Sequence, residues 1–432
     1  MAIDNKDKKV LKSSIEREQN EVACSAECEK IKGSKNLNVP HLRFPEFTEE
    51  WEKIRLDSFT ERVMRKNKNN LSKLPLTISA QYGLVDQITF FNKVVASTDM
   101  SNYYLLKKGE FAYNKSYSSD YPWGAIKRLD NYEQGALSSL YICFAPKDKV
   151  ETDFILQYFE SPKWHKGVSE IAVEGARNHG LLNISVQDFF HTHHYMPKDK
   201  KEQTKIAKLL MLLDERIATQ NKIIEKLQSL IKGLVDELMT VLLKGKLYPF
   251  SSFYIKAGEG GTPTTSVVEY YTEGTIPFIK IEDLSCKYLT NNKDFITELG
   301  MQKSSAWLIP SKSVIYSNGA TIGAISINEY PVCTKQGILG IVPNTNINVE
   351  YLYLLMSSSY FSKEISRIIT EGTMKTAYLK DINHIKCPLP SMAQQKNITN
   401  LTSSIEEKLS IEQELLRFLN LQKQYLLHMI FI

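Results

Sequence analysis

The chain has 432 residues, of which 42% are hydrophobic and 24% charged, and its formal net charge is +5. That length exceeds what one hydrophobic core usually organises, so two or three domains are expected, and no run of about twenty apolar residues offers a membrane span. The mild basic excess permits a polyanionic partner without demanding one, and the opening MAIDNKDKK is too charged for a signal peptide, so a cytoplasmic protein is the simplest expectation.

Residues 1–44 are polar, rich in lysine and glutamate, and read as a poorly ordered tail. Cys24 and Cys28 stand in it, too few ligands for a closed zinc site. Cysteines also occur at 143, 286, 333 and 387, without paired spacing, and all read as free thiols. Next comes a segment with Arg62, Arg65, Lys66, Lys68 and Lys73, three asparagines and no acid. Its default reading is a solvated loop; it becomes a phosphate-tracking loop only if other signs point to nucleic acid.

The stretch AYNKSYSSDYPWGAI runs from Ala112 to Ile126. An apolar strand candidate, Leu140–Phe144, is bounded by Pro146, and a helical stretch follows around Phe154 to Val168. A polar loop after Gly175 carries Arg177, Asn178 and His179. In His191-Thr192-His193-His194, alternation places His191 and His193 on one strand face. No carboxylate or cysteine stands at ligand spacing, so these are read as partly exposed structural histidines.

After Pro197 the clearest pattern begins. Ile206, Leu210, Leu213, Ile217, Gln220, Ile224, Leu227, Ile231, Leu234, Leu238 and Val241 follow by steps of four and three, the seam of a coiled coil broken only by Gln220. From Ile206 to Val241 such a helix spans roughly 50 Å. The one glycine cluster, Gly258–Pro263, lacks a following lysine and reads as a turn. Then IYSNGATIGAI, from Ile315 to Ile325, echoes the earlier phrase. Lys335 and Gln336 precede the strand candidate Ile338–Val342, closed by Pro343, and a helical stretch covers Val349 to Thr370. After Pro390 a second long helix carries Ile398, Thr402, Ile405, Leu409, Glu412, Leu416, Leu419, Lys423, Leu426 and Ile430 at the same spacing.

The echo is a duplication. Tyr113 aligns with Tyr316, Gly124-Ala125-Ile126 with Gly323-Ala324-Ile325, Glu174-Gly175 with Glu371-Gly372, and Glu202-Gln203 with Gln394-Gln395. The offsets fall steadily, 203, 199, 197 and 192, as they do when one copy carries longer loops on the same packed frame. At the last offset Glu412 stands opposite Gln220, a polar seam pair of the kind that fixes register. The two helices, equally long and each ending a repeat, are expected to pair with each other.

No phosphate loop, nucleophile elbow, His-Glu-x-x-His or Asn/Asp-Pro-Pro-aromatic motif occurs. The nearest candidate for a nuclease metal site is Glu282-Asp283 with Lys280 or Lys287, and its repeat counterpart around Ala80 and Gln81 has no carboxylate.

The stretch GGTPTTSVVEYYTEGTIPFIKIEDL, Gly260–Leu284, resembles the phrase that opens target recognition domains in specificity subunits of type I restriction-modification systems. The duplicated layout with two long helices is also that family's, and the resemblance covers residues from about 45 to the end. The first copy departs from the phrase, reading LPLTISAQY at 74–82.

The resemblance implies an α+β fold with two pseudo-symmetric, strand-rich target recognition domains, residues 45–198 and 246–389. Two long antiparallel helices, 199–245 and 390–432, would separate them as a coiled coil. It implies a non-catalytic subunit that reads a bipartite DNA target, with the helices acting as a ruler and docking two methyltransferase subunits; restriction subunits join outside. S-adenosylmethionine, ATP and magnesium would belong to those partners. The alternative is an autonomous metal-dependent nuclease.

Reading bases needs donors and acceptors on rigidly held loops, with further cations for phosphates. In the first copy the candidates are Arg65, Lys66 and Lys68, then Asn114, Lys115, Ser116 and Ser118, then Arg177, Asn178 and His179. In the second they are Ser317, Asn318, Thr321, Lys335, Gln336, Thr373, Lys375 and Thr376. Tyr113 and Tyr316 are expected in the scaffold.

Overall fold

The computed structural model describes residues 38–117, 121–172, 182–319, 321–369 and 375–432. It divides into two compact units, one formed by the chain up to Ile217 together with Phe418–Ile432, the other by Ala218–Arg417.

In the first unit, strands β1 (Glu52–Arg55) to β10 (His193–Met196) form three sheets. A short antiparallel pair joins β1 to β10. A second, antiparallel sheet is ordered β2 (Thr60–Arg62), β9 (Ile142–Pro146), β6 (Phe111–Asn114), β7 (Ala125–Arg128). A third is ordered β4 (Gly83–Asp86), β3 (Pro75–Ser79), β8 (Gln134–Leu137), β5 (Tyr104–Lys107), with β3 and β8 parallel. Strand alternation explains the layering. Phe111 and Tyr113 of β6, with Ile142 and Phe144 of β9, enter one core; Ala112 and Cys143 between them enter another with Leu76, Leu106 and Leu137.

The first of those cores is helical on its far side. It contains Phe154, Tyr158 and Phe159 of one helix, α3 (Thr152–Glu160), Trp164, and Phe189 of another, α5 (Val186–His191). Two short helices, α1 (Leu56–Phe59) and α2 (Gln87–Phe91), precede these, and α4 (His165–Ser169) lies between them. Tyr113 is fully buried, stacks on Phe189 at 4.8 Å and donates its hydroxyl to the carbonyl of Trp123 at 2.8 Å.

The second unit repeats this plan. A short pair joins β11 (Leu247–Pro249) to β20 (Lys386–Pro388). The main sheet is ordered β12 (Tyr254–Glu259), β19 (Ile338–Pro343), β16 (Val314–Ser317), β17 (Ile325–Asn328), β14 (Tyr288–Leu289). A smaller sheet is ordered β15 (Phe295–Ile296), β13 (Ile276–Ile279), β18 (Cys333–Thr334). Helices α7 (Glu298–Gln302), α8 (Val349–Ser357), α9 (Ser359–Ile368) and α10 (Leu379–Ile382) complete it. Val314, Tyr316, Leu339 and Ile341 face the helical core, whereas Ile315 and Ile338 face the opposite one. Tyr316 is 2% exposed and sits edge-on to Phe361.

The long helices are α6 (Lys200–Leu242) and α11 (Met392–Ile430). Asp199 caps the first by accepting the amide of Lys201 at 2.8 Å. Ser391 and Gln394 form a reciprocal capping box at the start of the second. Within the first unit Lys423 pairs with Asp214 at 2.6 Å, and Leu427 and Ile430 share a core with Ile206 and Leu210, so the two helices run antiparallel there. Within the second unit Gln220 donates to the Glu412 carbonyl at 3.0 Å and to its carboxylate, and Ile398 shares a core with Val235 and Met239, again antiparallel. Ile206, Leu210, Ile224, Ile398, Thr402, Leu419 and Ile430 are buried. Leu213, Ile217, Leu227, Ile231, Leu234, Leu238, Ile405, Leu409, Leu416 and Leu426 are half-buried.

Two expectations are corrected here. Val241, the last expected seam residue, is 62% exposed, because beyond Ile231 the helix turns Val235 and Met239 toward the second unit's core. A straight helix drifts off a seven-residue repeat, and a module presents a wider face than a partner helix. Residues 38–44, assigned to the tail, are instead held: Arg43 makes a two-pronged ion pair with buried Glu202 at 2.7 and 2.8 Å, and the Leu42 amide donates to the Met429 carbonyl at 3.0 Å.

Candidate nucleic-acid interface

In the first unit the register places the C-terminal end of β6, the N-terminal end of β7 and the N-terminal end of β9 at one sheet edge, since Asn114 faces Ala125 and Tyr113 faces Ile142. The chain leaves that edge through Asn114, Lys115, Ser116 and Tyr117. Asn114 holds the turn by accepting the Ser116 amide at 3.0 Å. The Lys115 carbonyl accepts the Leu182 amide at 2.9 Å, tying a second loop to the first. Gly124 closes the turn with φ +77°, and a Cβ there would lie 2.1 Å from the Asn114 carbonyl, so the recurring glycine is sterically required. Ser116 and Tyr117 are exposed, and Lys115 is half-buried.

The basic segment of this unit is partly engaged. One terminal nitrogen of Arg65 contacts both carboxylate oxygens of Glu110 at 2.8 Å. Lys66 donates to the Asn102 carbonyl at 2.8 Å with its ammonium 4.2 Å from the Tyr104 ring centre. Asn67 is a buried bracket, exchanging hydrogen bonds with the backbone of Ser72. Exposed cations are left at Arg62, Lys68 and Lys73.

In the second unit the equivalent edge gathers four segments. The amides of Asn318 and Gly319 both donate to the Gly337 carbonyl, at 3.0 and 3.1 Å. Ala377 and Asn318 exchange backbone and side-chain hydrogen bonds at 2.9 and 3.1 Å, which brings Lys375 and Thr376 to this edge. The glycine-rich loop arrives as well: Gly260 donates to the Ile338 carbonyl at 2.9 Å, and Thr262 accepts the Gln336 amide at 3.3 Å. A Cβ on Gly260 would fall 2.1 Å from the Thr334 carbonyl, and one on Gly261 2.3 Å from the Ser305 hydroxyl. Thr321, Lys335, Gln336 and Lys375 are exposed and Thr376 is half-buried.

Ser317 and Asn318 are a correction. The sequence pattern has both presenting their side chains, yet Ser317 is fully buried and Asn318 is 1% exposed. β16 extends through Ser317 and Asn318 brackets Ala377, so both are scaffold beneath the loops. Gly260–Pro263, which reads as a plain turn, stands beside Gln336, a place signalled by the very phrase that carries the resemblance. Ser118, Arg177, Asn178, His179 and Thr373 lie outside the described residues.

The nuclease candidates do not converge. The Asp283 carboxylate accepts the Lys280 amide at 2.8 Å within its own turn, and the Lys280 ammonium pairs with Asp294 at 2.9 Å. Lys287 lies between Glu350 and Glu406, both at 2.5 Å. Among the described residues no group of three His, Cys, Asp or Glu side chains could hold a metal ion. The histidine run is corrected too: His194 is only 2% exposed, wedged between the Tyr158 hydroxyl on Nδ1 and the Thr192 hydroxyl on Nε2, both at 2.8 Å. Burial, and secondarily the neighbouring His193, push its pKa down to about 3. The described cysteines 143, 286, 333 and 387 are free.

Residues 253–420 match the family of the type I restriction modification DNA specificity domain. The match places a type I specificity domain in the second half of the chain and leaves the first half outside it. Curated specificity subunits are similar over parts of the chain. The MjaIX subunit of Methanocaldococcus jannaschii is 30% identical over 154 residues, 34% of this chain and 35% of that one. The EcoR124I/EcoR124II subunit of Escherichia coli is 30% identical over 179 residues, 38% and 43% of the two chains. The chain thus spans less than half the length of either relative. The MjaVIII specificity subunit is 25% identical over 308 residues, 65% of this chain and 70% of that one. Among solved structures, a specificity subunit from M. genitalium covers 91% of this chain and 99% of its own at 18% identity, TM-score 0.50. A chain from a type I restriction-modification assembly covers 87% and 96% at 14% identity, TM-score 0.52. The latter two likenesses concern the specificity-subunit fold. No helix among the described residues is long and apolar enough to cross a membrane.

Proposed function

We propose that this chain is the non-catalytic, DNA-reading specificity subunit of a type I restriction-modification complex, acting in the cytoplasm on a bipartite target. Residues 45–198 and 246–389 are the two reading modules, and 199–245 and 390–432 are the spacer helices. The observation that carries this reading is the repeated sheet edge: one packed frame, built twice, on which the frame is kept and the loop residues differ. In the first module Lys115, Ser116 and Tyr117 leave that edge; in the second Thr321, Lys335, Gln336, Lys375 and Thr376 do, with Thr262 beside them. Amide and hydroxyl groups suit base edges, and Lys335, Lys375, Lys68 and Arg62 suit phosphates.

Catalysis, with S-adenosylmethionine, ATP and magnesium, belongs to partner subunits. Docking of two methyltransferase subunits has physical support in a second apolar track on the long helices. Leu209, Ile223 and Leu230 recur at multiples of seven and are 37%, 36% and 55% exposed; Ile411 and Tyr425 do likewise at 57% and 58%. A helix already paired along one seam and still carrying exposed heptad apolar residues suits further helices. Restriction subunits would join such an assembly.

The test is methylome sequencing of the host with and without this gene, followed by binding of the reconstituted complex to the motif found. Lys335→Ala with Lys375→Ala should weaken binding and lower the salt slope by about one for each phosphate no longer held. Gln336→Ala should instead relax one base position in the second half-site. An unchanged methylome without the gene would end the proposal.

A further inference from the structure

Each long helix is fastened to its own module at two points on one face, and the fastening is repeated. Gln203 accepts the amide of Glu151, the N-cap residue of α3, at 2.8 Å and donates to the Pro197 carbonyl at 2.9 Å. Gln395 accepts the amide of Asn348, the N-cap residue of α8, at 2.7 Å and donates to the carbonyls of Asn346 and Pro390 at 3.0 and 2.9 Å. Both glutamines are buried, at 2% and 0% exposure. Eleven residues after each stands an acid, Asp214 and Glu406. Asp214 accepts from Gln157 of α3 at 2.9 Å, and Glu406 pairs with Lys287 at 2.5 Å, which also holds Glu350 of α8 at 2.5 Å. Eleven residues are about three turns, so each acid lies on the glutamine's face of the helix, about 16 Å along it.

We propose that Gln203 with Asp214, and Gln395 with Glu406, are positioning residues that fix the tilt of each helix on its module, and through it the single gap at which two half-targets are accepted. This rests on the bipartite reading above. One contact leaves a pivot, whereas two contacts three turns apart restrain rotation about it. The amide-to-glutamine bond is directional and buried, so it resists tilt where apolar seam contacts allow sliding. On the module side the acid's partner differs between the copies, Gln157 in one and Lys287 in the other, while the spacing of eleven is kept; Asp214 is also paired with Lys423 of the other long helix. Geometry, not one particular pairing chemistry, is thus the repeated property.

The experiment uses the full chain assembled with its methyltransferase partner and duplexes carrying the wild-type motif with the gap one base pair shorter, unchanged or one longer. Wild type should methylate the unchanged gap and discriminate against the others. Lys287→Met and Gln395→Ala should each lower that discrimination by about tenfold, as removal of one buried polar restraint allows, with a smaller change in rate at the correct gap. Lys287→Arg, which keeps the ion pair, should restore wild-type discrimination. If Lys287→Met and Gln395→Ala, folded by circular dichroism, lose rate equally at all gaps, these residues only stabilise the fold and the proposal is overturned. Unchanged discrimination in both overturns it equally. A wild-type complex that methylates no two-part target would instead overturn the bipartite reading, and the mount with it.

Discussion

Protonation of His194 gives a quantitative test of the first module. Its ring is held neutral between two hydroxyls in a core that also contains Tyr158 and Phe159, and its pKa is lowered from 6.5 to about 3. In the unfolded chain the group titrates at the ordinary value, so the unfolded state takes up the proton first. Stability is therefore whole above that value and is lost as pH falls toward the folded value. Between pH 6.5 and about pH 5 the loss is roughly 1.5 units at 1.36 kcal/mol each, about 2 kcal/mol. Urea unfolding followed by tryptophan fluorescence reads this directly, since Trp51 and Trp164 are buried in the adjoining core. His194→Gln keeps a donor and an acceptor without the titration, so the difference between the two proteins should grow by that amount as pH falls. Parallel profiles, or a wild-type profile flat across this window, would refute the assignment of a buried neutral imidazole.

Gly124→Ala should destabilise the first module by about 1 kcal/mol or more, because φ is +77° and the added Cβ meets the Asn114 carbonyl; a thermal melt equal to wild type would contradict the required turn. Replacing Gln220 and Glu412 together by leucine should raise the melting temperature while loosening helix register, detected by cysteine cross-linking at neighbouring seam positions; a single cross-linked register in the variant would contradict that role. Deleting one heptad from each long helix removes about 10 Å, close to three base pairs at roughly 3.4 Å per step, so the methylated motif should lose about three base pairs of gap or disappear. An unaltered gap would refute the ruler.

Sequence and structure part most clearly at the glutamines and at the loop asparagines. Gln203 and Gln395 are visible as a recurrence, but nothing in the sequence says that each grips the N-cap amide of a helix some fifty residues away. Asn114 and Asn318 occupy neighbouring places in the echoed phrase, yet one shapes a surface turn and the other is sealed beneath it. The identity of a side chain fixes what it can donate or accept, and its surroundings decide whether the partner is the protein itself.

By itself the sequence determined the duplication, the scaffold place of the recurring Tyr113 and Tyr316, and the heptad seam with Gln220 opposite Glu412. All three are periodic, and periodicity follows from backbone geometry that the chain carries locally. Only the tertiary structure decided that Arg65 is engaged by Glu110, that His194 is neutral and enclosed, that Val241 leaves the seam, and that four separate segments share one sheet edge in the second module. Those outcomes depend on partners distant in sequence and on water excluded between them, neither of which any local pattern encodes.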